Sequence, residues 1–272
     1  MFRTTVQLLI VILAGCVSVN VAFAQDQVPK HPETQALLDR QSRELTEVNV
    51  VLSKAYSALY DGRLDRAESL CSVALNLFPD VADESHRVVA PVLGEVLLAS
   101  GALAPATAEF EYLEGRGYQN PDVRASLALC YLKQNRLGDA QALLERLAVQ
   151  NPTLLAGPME KAHVPDISGG DPTAMEVTCH LIRAAAFCNA PDRLKGGFAE
   201  FDAAVKLDPS NLGINYLIGF TYYSMTKFAE VKKEWEPIMK AKGEAELKKK
   251  TAQLYVQALA YLKNAAASGP RG

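Results

Sequence analysis

The cysteines and histidines are the side chains in this sequence best suited to chemistry. Five cysteines are present. Cys179, His180 and Cys188 lie close together along the chain, and His163 precedes them. They could be drawn as a metal site, but their spacing fits no familiar zinc pattern. If Cys179 and Cys188 share one helix, they lie about 13 Å apart, whereas a disulfide joins Cα atoms within about 7 Å. We therefore expect free, buried cysteines and no metal.

Motifs of the common catalytic classes are absent from the sequence. It holds no GxGxxG, P-loop, GxSxG or HExxH pattern. The sequence therefore predicts no catalytic residue and no cofactor. A cysteine- or metal-dependent activity around Cys179 remains open as the enzymatic alternative.

The N-terminal residues have the pattern of an export signal. Arg3 precedes an apolar run over residues 6–15, and the small residues Ala22 and Ala24 flank Phe23 before a polar stretch. This pattern predicts a signal peptide over 1–24. Residues 13–16 also resemble a bacterial lipobox, in which Cys16 would carry the lipid. Both alternatives place the protein in the periplasm or outside the cell, and the second tethers it to the envelope by a lipid anchor.

Composition and charge exclude several classes of protein. The 272 residues are 49% hydrophobic and 22% charged, with a net charge of −3. These values fit a folded globular chain and are unlike those of disordered or collagenous proteins. Without a basic excess, we expect no nucleic-acid partner.

Three similar segments occur along the chain. They read GRLDRAESLCSVALNLFP over 62–79, NRLGDAQALLERLAVQNP over 135–152 and DRLKGGFAEFDAAVKLDP over 192–209. Each places small and large apolar residues at helical spacing and ends on a proline, which stops a helix because it lacks an N–H and clashes with the preceding turn. The pattern predicts a helix that repeats along the chain.

A second pattern precedes two of these segments. Leu127 and Ala128 lie ahead of Tyr131, and Ile218 and Gly219 lie ahead of Tyr222, with the same spacing. Together the two patterns resemble the tetratricopeptide repeat, a helix-turn-helix unit of about 34 residues. The resemblance implies an all-α, right-handed superhelical solenoid of about five repeats that binds other proteins. The repeats are predicted near 48–81, 87–120, 121–154, 178–211 and 212–245.

The other segments have distinct characters. Residues 25–47 are predicted to form a polar segment and a helix that leads into the first repeat, and the leucines at 38, 45, 52 and 59 are seven apart. That spacing permits self-association through a coiled coil, while the alternative is a long first helix packed on its own repeat. The segment 155–177 is rich in Pro and Gly and breaks the repeat phase, so it is predicted to be a loop. Residues 246–266 are predicted to form a capping helix and 267–272 a disordered tail.

The resemblance also implies where a ligand would bind, because in this family the first helices of successive repeats line a groove. The implied protein-binding positions are Asn49, Tyr56, Glu95, Leu129, Lys133, Tyr216, Phe220 and Tyr223. Tyr216, Phe220 and Tyr223 share one helix face, which suits an apolar peptide or helix. We expect them to be partly exposed. The alternative is that this stripe is core, covered by the terminal helix or by the loop.

The sequence thus predicts a non-enzymatic interaction scaffold or adaptor of the bacterial envelope, with a protein or peptide ligand. A structural subunit of an envelope complex is the second hypothesis. The sequence identifies no partner.

Overall fold

The computed structural model describes residues 32–77, 82–150 and 166–267. Within these ranges the chain forms eleven helices and no strand, which confirms the predicted all-α class. The helices are α1 Pro32–Tyr60, α2 Leu64–Asn76, α3 Ala82–Ala99, α4 Leu103–Gly115, α5 Pro121–Lys133, α6 Leu137–Gln150, α7 Pro172–Cys188, α8 Leu194–Leu207, α9 Leu212–Ser224, α10 Phe228–Lys240 and α11 Ala245–Ala267.

Helices occur in pairs that coincide with the predicted repeat segments, two helices to each segment. A residue with positive φ lies in the short turn inside four of the five pairs: Gly62, Gly101, Asn135 and Thr226. Glycine and asparagine adopt this left-handed conformation readily, so they allow the chain to reverse within a few residues. The turn between α7 and α8 has no such residue, so the fourth pair differs from the others.

Three apolar cores follow one another along the chain. The first lies among α1, α2 and α3, the second reaches from α3 to α7, and the third from α7 to α11. Helix α7 contributes to two of them, since Met175 and Ile182 belong to the second core while Val177 and Leu181 belong to the third. Apolar residues on two faces of α7 therefore join the two halves of the molecule.

Helix α7 also breaks the packing order of the earlier pairs. Among the helices that precede them, α3 packs mainly on α2, and α5 packs mainly on α4, so each new pair rests on the helix just before it. By contrast, α7 packs mainly on α5 and on its own partner α8, and only marginally on α6. The fourth pair is thus displaced towards the side of the molecule formed by α1, α3 and α5.

One predicted boundary is wrong. The loop was expected to reach residue 177, but α7 begins at Pro172. The Asp171 side chain accepts a hydrogen bond of 3.0 Å from the backbone N–H of Thr173, and Pro172 occupies the first turn, where no N–H is needed. Residues 151–165 of the predicted loop lie outside the described residues.

The two ends of the chain are described unequally. The predicted signal peptide, Cys16 and the tail from residue 268 lie outside the described residues. Helix α11 corresponds to the predicted capping helix, and its Leu247 and Ala258 belong to the third core. No helix in the described part of the chain is long and apolar enough to cross a membrane.

Candidate interaction surface

A buried ion pair connects α3 with α7. Arg183 donates to both carboxylate oxygens of Glu95, with N–O distances of 3.0 and 2.9 Å, and both side chains are almost fully buried. The Ser126 hydroxyl, from α5, bonds to both of them. A bidentate arginine–carboxylate pair is directional, so this contact determines how α7 lies across α3 and α5.

A second carboxylate shares the same arginine. Glu200 of α8 accepts a hydrogen bond of 2.7 Å from Arg183 and lies 2.6 Å from Nδ1 of His180. Burial of Glu200 opposes its ionisation. The charge of Arg183 and the hydrogen bonds from His180 and Arg183 outweigh this effect of burial, so the pKa of Glu200 is lowered to about 2. Burial instead raises the pKa of Glu95, although Arg183 and Ser126 oppose that change. Two acidic groups thus compete for one guanidinium.

The start of α8 continues this contact onto α1. Arg193 lies 3.1 Å from Asp122 of α5, and its guanidinium lies 4.0 Å from the ring centroid of Tyr56. Lys195 forms a 2.6 Å ion pair with Asp61, which follows α1. In these two ion pairs the acidic residue belongs to the first three helix pairs and the basic residue to the start of α8.

Aromatic packing supports the same placement of α7. The ring centroids of Tyr60 and Phe187 are 5.9 Å apart. Gly196 packs so closely against Tyr60 that a Cβ at this position would collide with the phenol ring. We call the side formed by α1, α3 and α5 the inner face, and α7 covers it.

Most of the predicted groove positions on the first three pairs are therefore not free. Tyr56, Glu95 and Leu129 are buried, because α7 and the start of α8 occupy the inner face. Asn49 and Lys133 are exposed, and Lys133 forms a 3.5 Å ion pair with Glu176 of α7. At the three buried positions the chain supplies its own helix, so these side chains are not open to another protein.

The predicted stripe on α9 divides into a buried and a half-buried part. Tyr216 is only 5% exposed, so its expected exposure is wrong. Its ring stacks on Trp235 at 6.1 Å, and its backbone oxygen accepts a 3.1 Å hydrogen bond from the indole N–H. Phe220 and Tyr223 are half-buried.

Ring contacts, two of them stacked and one edge-on, continue from this core to the surface. Centroid distances are 6.0 Å from Trp235 to Tyr223, 5.6 Å from Tyr223 to Phe228 and 4.7 Å from Phe228 to Tyr261. The Tyr223 hydroxyl donates a 2.7 Å hydrogen bond to Gln257 of α11. We call Phe220, Tyr223, Phe228 and Tyr261 the aromatic edge.

The described cysteines have the properties of core residues. Cys71, Cys130, Cys179 and Cys188 are all free, and the first three are buried. Burial raises the pKa of the Cys71 and Cys188 thiols to about 12 and that of Cys130 to about 11. Because a thiolate is the reactive form, these environments disfavour nucleophilic chemistry. Within the described ranges, no group of three or more His, Cys, Asp or Glu residues could hold a metal ion.

Sequence reasoning missed the arginine network. A signal was present, because Glu95 and Arg183 each interrupt an otherwise apolar helical stretch, VLGEVLLA and LIRAAAF. A single charge at a core position suggests a buried partner. The pairing itself is not visible in the sequence, since the two residues are 88 positions apart.

Comparison with known proteins finds no matching family model, no matching curated protein and no matching solved structure. What the chain does must therefore be argued from its own residues and their geometry.

Proposed function

We propose that this chain is a non-enzymatic scaffold or adaptor that binds another protein at the bacterial envelope, built as a right-handed tetratricopeptide-repeat solenoid. The repeat spacing in the sequence and the five helix pairs at those positions support this architecture. The signal-like residues 1–24 support export to the periplasm or beyond, and lipidation of Cys16 is the alternative to cleavage after Ala24.

The aromatic edge carries the binding proposal. Tyr261 is 57% exposed and Phe220, Tyr223 and Phe228 are half-buried, so apolar ring surface remains open to solvent. Stacking on a buried tryptophan limits the motion of the inner rings, so little side-chain entropy is lost on binding. Rigid aromatic anchors of this kind dominate many interfaces. The expected ligand is an apolar segment of a partner protein, either an extended peptide or one face of a helix.

A site-specific photo-crosslinker tests this function. Tyr261 is replaced by a photoreactive phenylalanine in the full-length chain, which is produced in its source cells and irradiated. We expect one discrete protein adduct in the envelope fraction, because a ligand seated on the aromatic edge lies within reach of this position.

Val256 is the matched control position, since it is 64% exposed on the same helix but has no place in the ring stack. The same adduct formed equally well from position 256 would show non-specific contact. Absence of any adduct at position 261, with the protein folded and exported, would contradict the assignment of the ligand to the aromatic edge.

A further inference from the structure

Two aromatic rings lie at the junction between α8 and α9. Phe198 of α8 and Tyr222 of α9 stack across it, with ring centroids 4.7 Å apart. Helix α9 packs less extensively on α8 than α3 does on α2 or α5 on α4. Both rings are half-buried, so part of their apolar surface is open to solvent.

Three carboxylates from two helices lie close to this pair of rings. Asp202 belongs to α8, and Glu230 and Glu234 lie about one turn apart on α10. Burial raises the pKa of the Tyr222 hydroxyl, and the charges of Glu234, Glu230 and Asp202 raise it further. We call the two rings and these three carboxylates the acidic junction.

The carboxylates of the acidic junction have no cationic partner in the described part of the chain. Asp202 and Glu230 are exposed, and Glu234 accepts a 3.2 Å hydrogen bond from the neutral amide of Asn215. Lysines lie three or four positions away along both helices, but none of the ion pairs among the described residues includes these carboxylates. Their charge is therefore available to a cation from another molecule.

A guanidinium is the side-chain group that suits such a surface best. Its plane stacks on an aromatic ring while its N–H groups reach carboxylates beside that ring. The chain itself uses this combination at Arg136, which lies 4.0 Å from the ring centroid of Tyr131 and 2.7 Å from Asp139. The acidic junction offers the ring and the carboxylates without the cation.

We infer that the acidic junction is a second protein-docking site, and that its occupant is an arginine side chain from an exposed segment of a partner protein. The guanidinium covers the open surface of the stacked rings and pairs with the carboxylates of α8 and α10. The aromatic edge lies where α9 meets α11, since Tyr223 bonds to Gln257 there. The two sites are therefore independent, and a failed crosslink at the aromatic edge would leave this inference standing.

A fluorescein-labelled peptide of alternating alanine and arginine is the probe. It is titrated into the full-length chain at low ionic strength and followed by fluorescence anisotropy. The variant Asp202→Asn/Glu230→Gln removes two exposed charges while keeping the size of both side chains. We expect it to bind the peptide at least about tenfold more weakly than the wild type, because charge-assisted contacts with arginine are lost.

A second variant tests the ring. Tyr222→Leu removes the aromatic face but no charge, so binding should weaken by about threefold. Tyr222→Phe keeps the ring and should bind like the wild type. If Tyr222→Leu loses helical signal in circular dichroism, Phe198→Leu replaces it, with the same loss expected.

Two controls make the comparison specific. Asp65→Asn/Glu68→Gln removes the same charge from exposed positions on α2, and should bind like the wild type. A peptide with glutamine in place of every arginine should bind the wild type at least about tenfold more weakly than the arginine peptide.

Equal affinity of the two charge variants for the arginine peptide would overturn the proposal, because binding would then reflect net charge alone. Equal affinity of the wild type for the two peptides would show that the rings take an apolar ligand, and would also overturn it. So would dimerisation of the wild type that Asp202→Asn/Glu230→Gln abolishes, measured by light scattering, since the occupant would then be a second copy of this chain.

Discussion

At the scale of single residues, Arg183 has the greatest structural effect. One guanidinium bonds to carboxylates on two helices and to a serine on a third, so three helices depend on it. Removing one partner of a buried ion pair commonly costs about 3–5 kcal/mol, because the other charge is left unpaired. The two carboxylates that share Arg183 differ in acidity, since the pKa of Glu95 is raised and the pKa of Glu200 is lowered.

The lowered pKa of Glu200 predicts a pH-dependent contribution to stability. Its carboxylate is favoured in the folded state, so its stabilising effect is complete above the ordinary pKa of 4.5 and disappears as the pH falls towards about 2. Glu200→Gln should therefore lower the free energy of unfolding at pH 7 by roughly 3 kcal/mol. Between pH 5 and pH 2 the gap from the wild type should close, as measured by urea unfolding at each pH.

Glu236→Gln is the matched control, because that glutamate also pairs with a basic residue, Lys240, but on the exposed surface of α10. The free energy of unfolding of this variant should equal that of the wild type at every pH. A gap for Glu200→Gln that stays constant across the range would contradict the ionic role assigned to Glu200.

At the scale of helices, α9, α10 and α11 assemble around one indole ring. Trp235 is fully buried, and its aromatic neighbours are Tyr216 and Tyr223. Tyr222 points to another contact and stacks on Phe198. Gly219 permits this approach, since a Cβ there would collide with the indole. The close contact between α9 and α10 therefore requires a glycine, Gly219, at the position that faces the large side chain of Trp235.

Trp235→Ala should lower the free energy of unfolding by about 3–5 kcal/mol, because it leaves a large cavity between α9, α10 and α11. Chemical denaturation followed by circular dichroism measures the loss. Val256→Ala, on the exposed side of α11, should change stability by less than about 0.5 kcal/mol. A loss below about 1 kcal/mol for Trp235→Ala would show that the indole does not organise this cluster.

The helices could be predicted from the sequence because their determinants are local. Prolines, small residues and apolar spacing recur in phase, and they placed two helices in every repeat segment. The position of α7 could not be predicted in this way, because it depends on contacts such as Arg183 with Glu95, which are 88 positions apart. For the same reason the burial of Tyr56 and Glu95 could not be predicted, whereas Phe220 and Tyr223 are half-buried and remain candidate binding residues.

At the scale of the whole molecule, α7 joins two halves and determines which surfaces are free. It covers the inner face of the first three pairs and supplies apolar residues to both adjoining cores. The aromatic edge lies on the other half, where its rings stay partly open to solvent. The assignment of the ligand to the aromatic edge follows from this placement, since Tyr56 and Glu95 are buried.

Zero-length crosslinking of the native chain tests this placement most directly. A carbodiimide joins an amine to a carboxylate only where the two groups are in contact. Lys195 of α8 lies 2.6 Å from Asp61, at the end of α1. Lys133 of α5 lies 3.5 Å from Glu176 of α7. Mass spectrometry of the monomer band should find both linked peptides, and Asp61→Asn should abolish the first. Lys240 with Glu236, 3.0 Å apart within α10, is the positive control. Recovery of the control link without either of the other two would contradict the placement of α7 on the inner face.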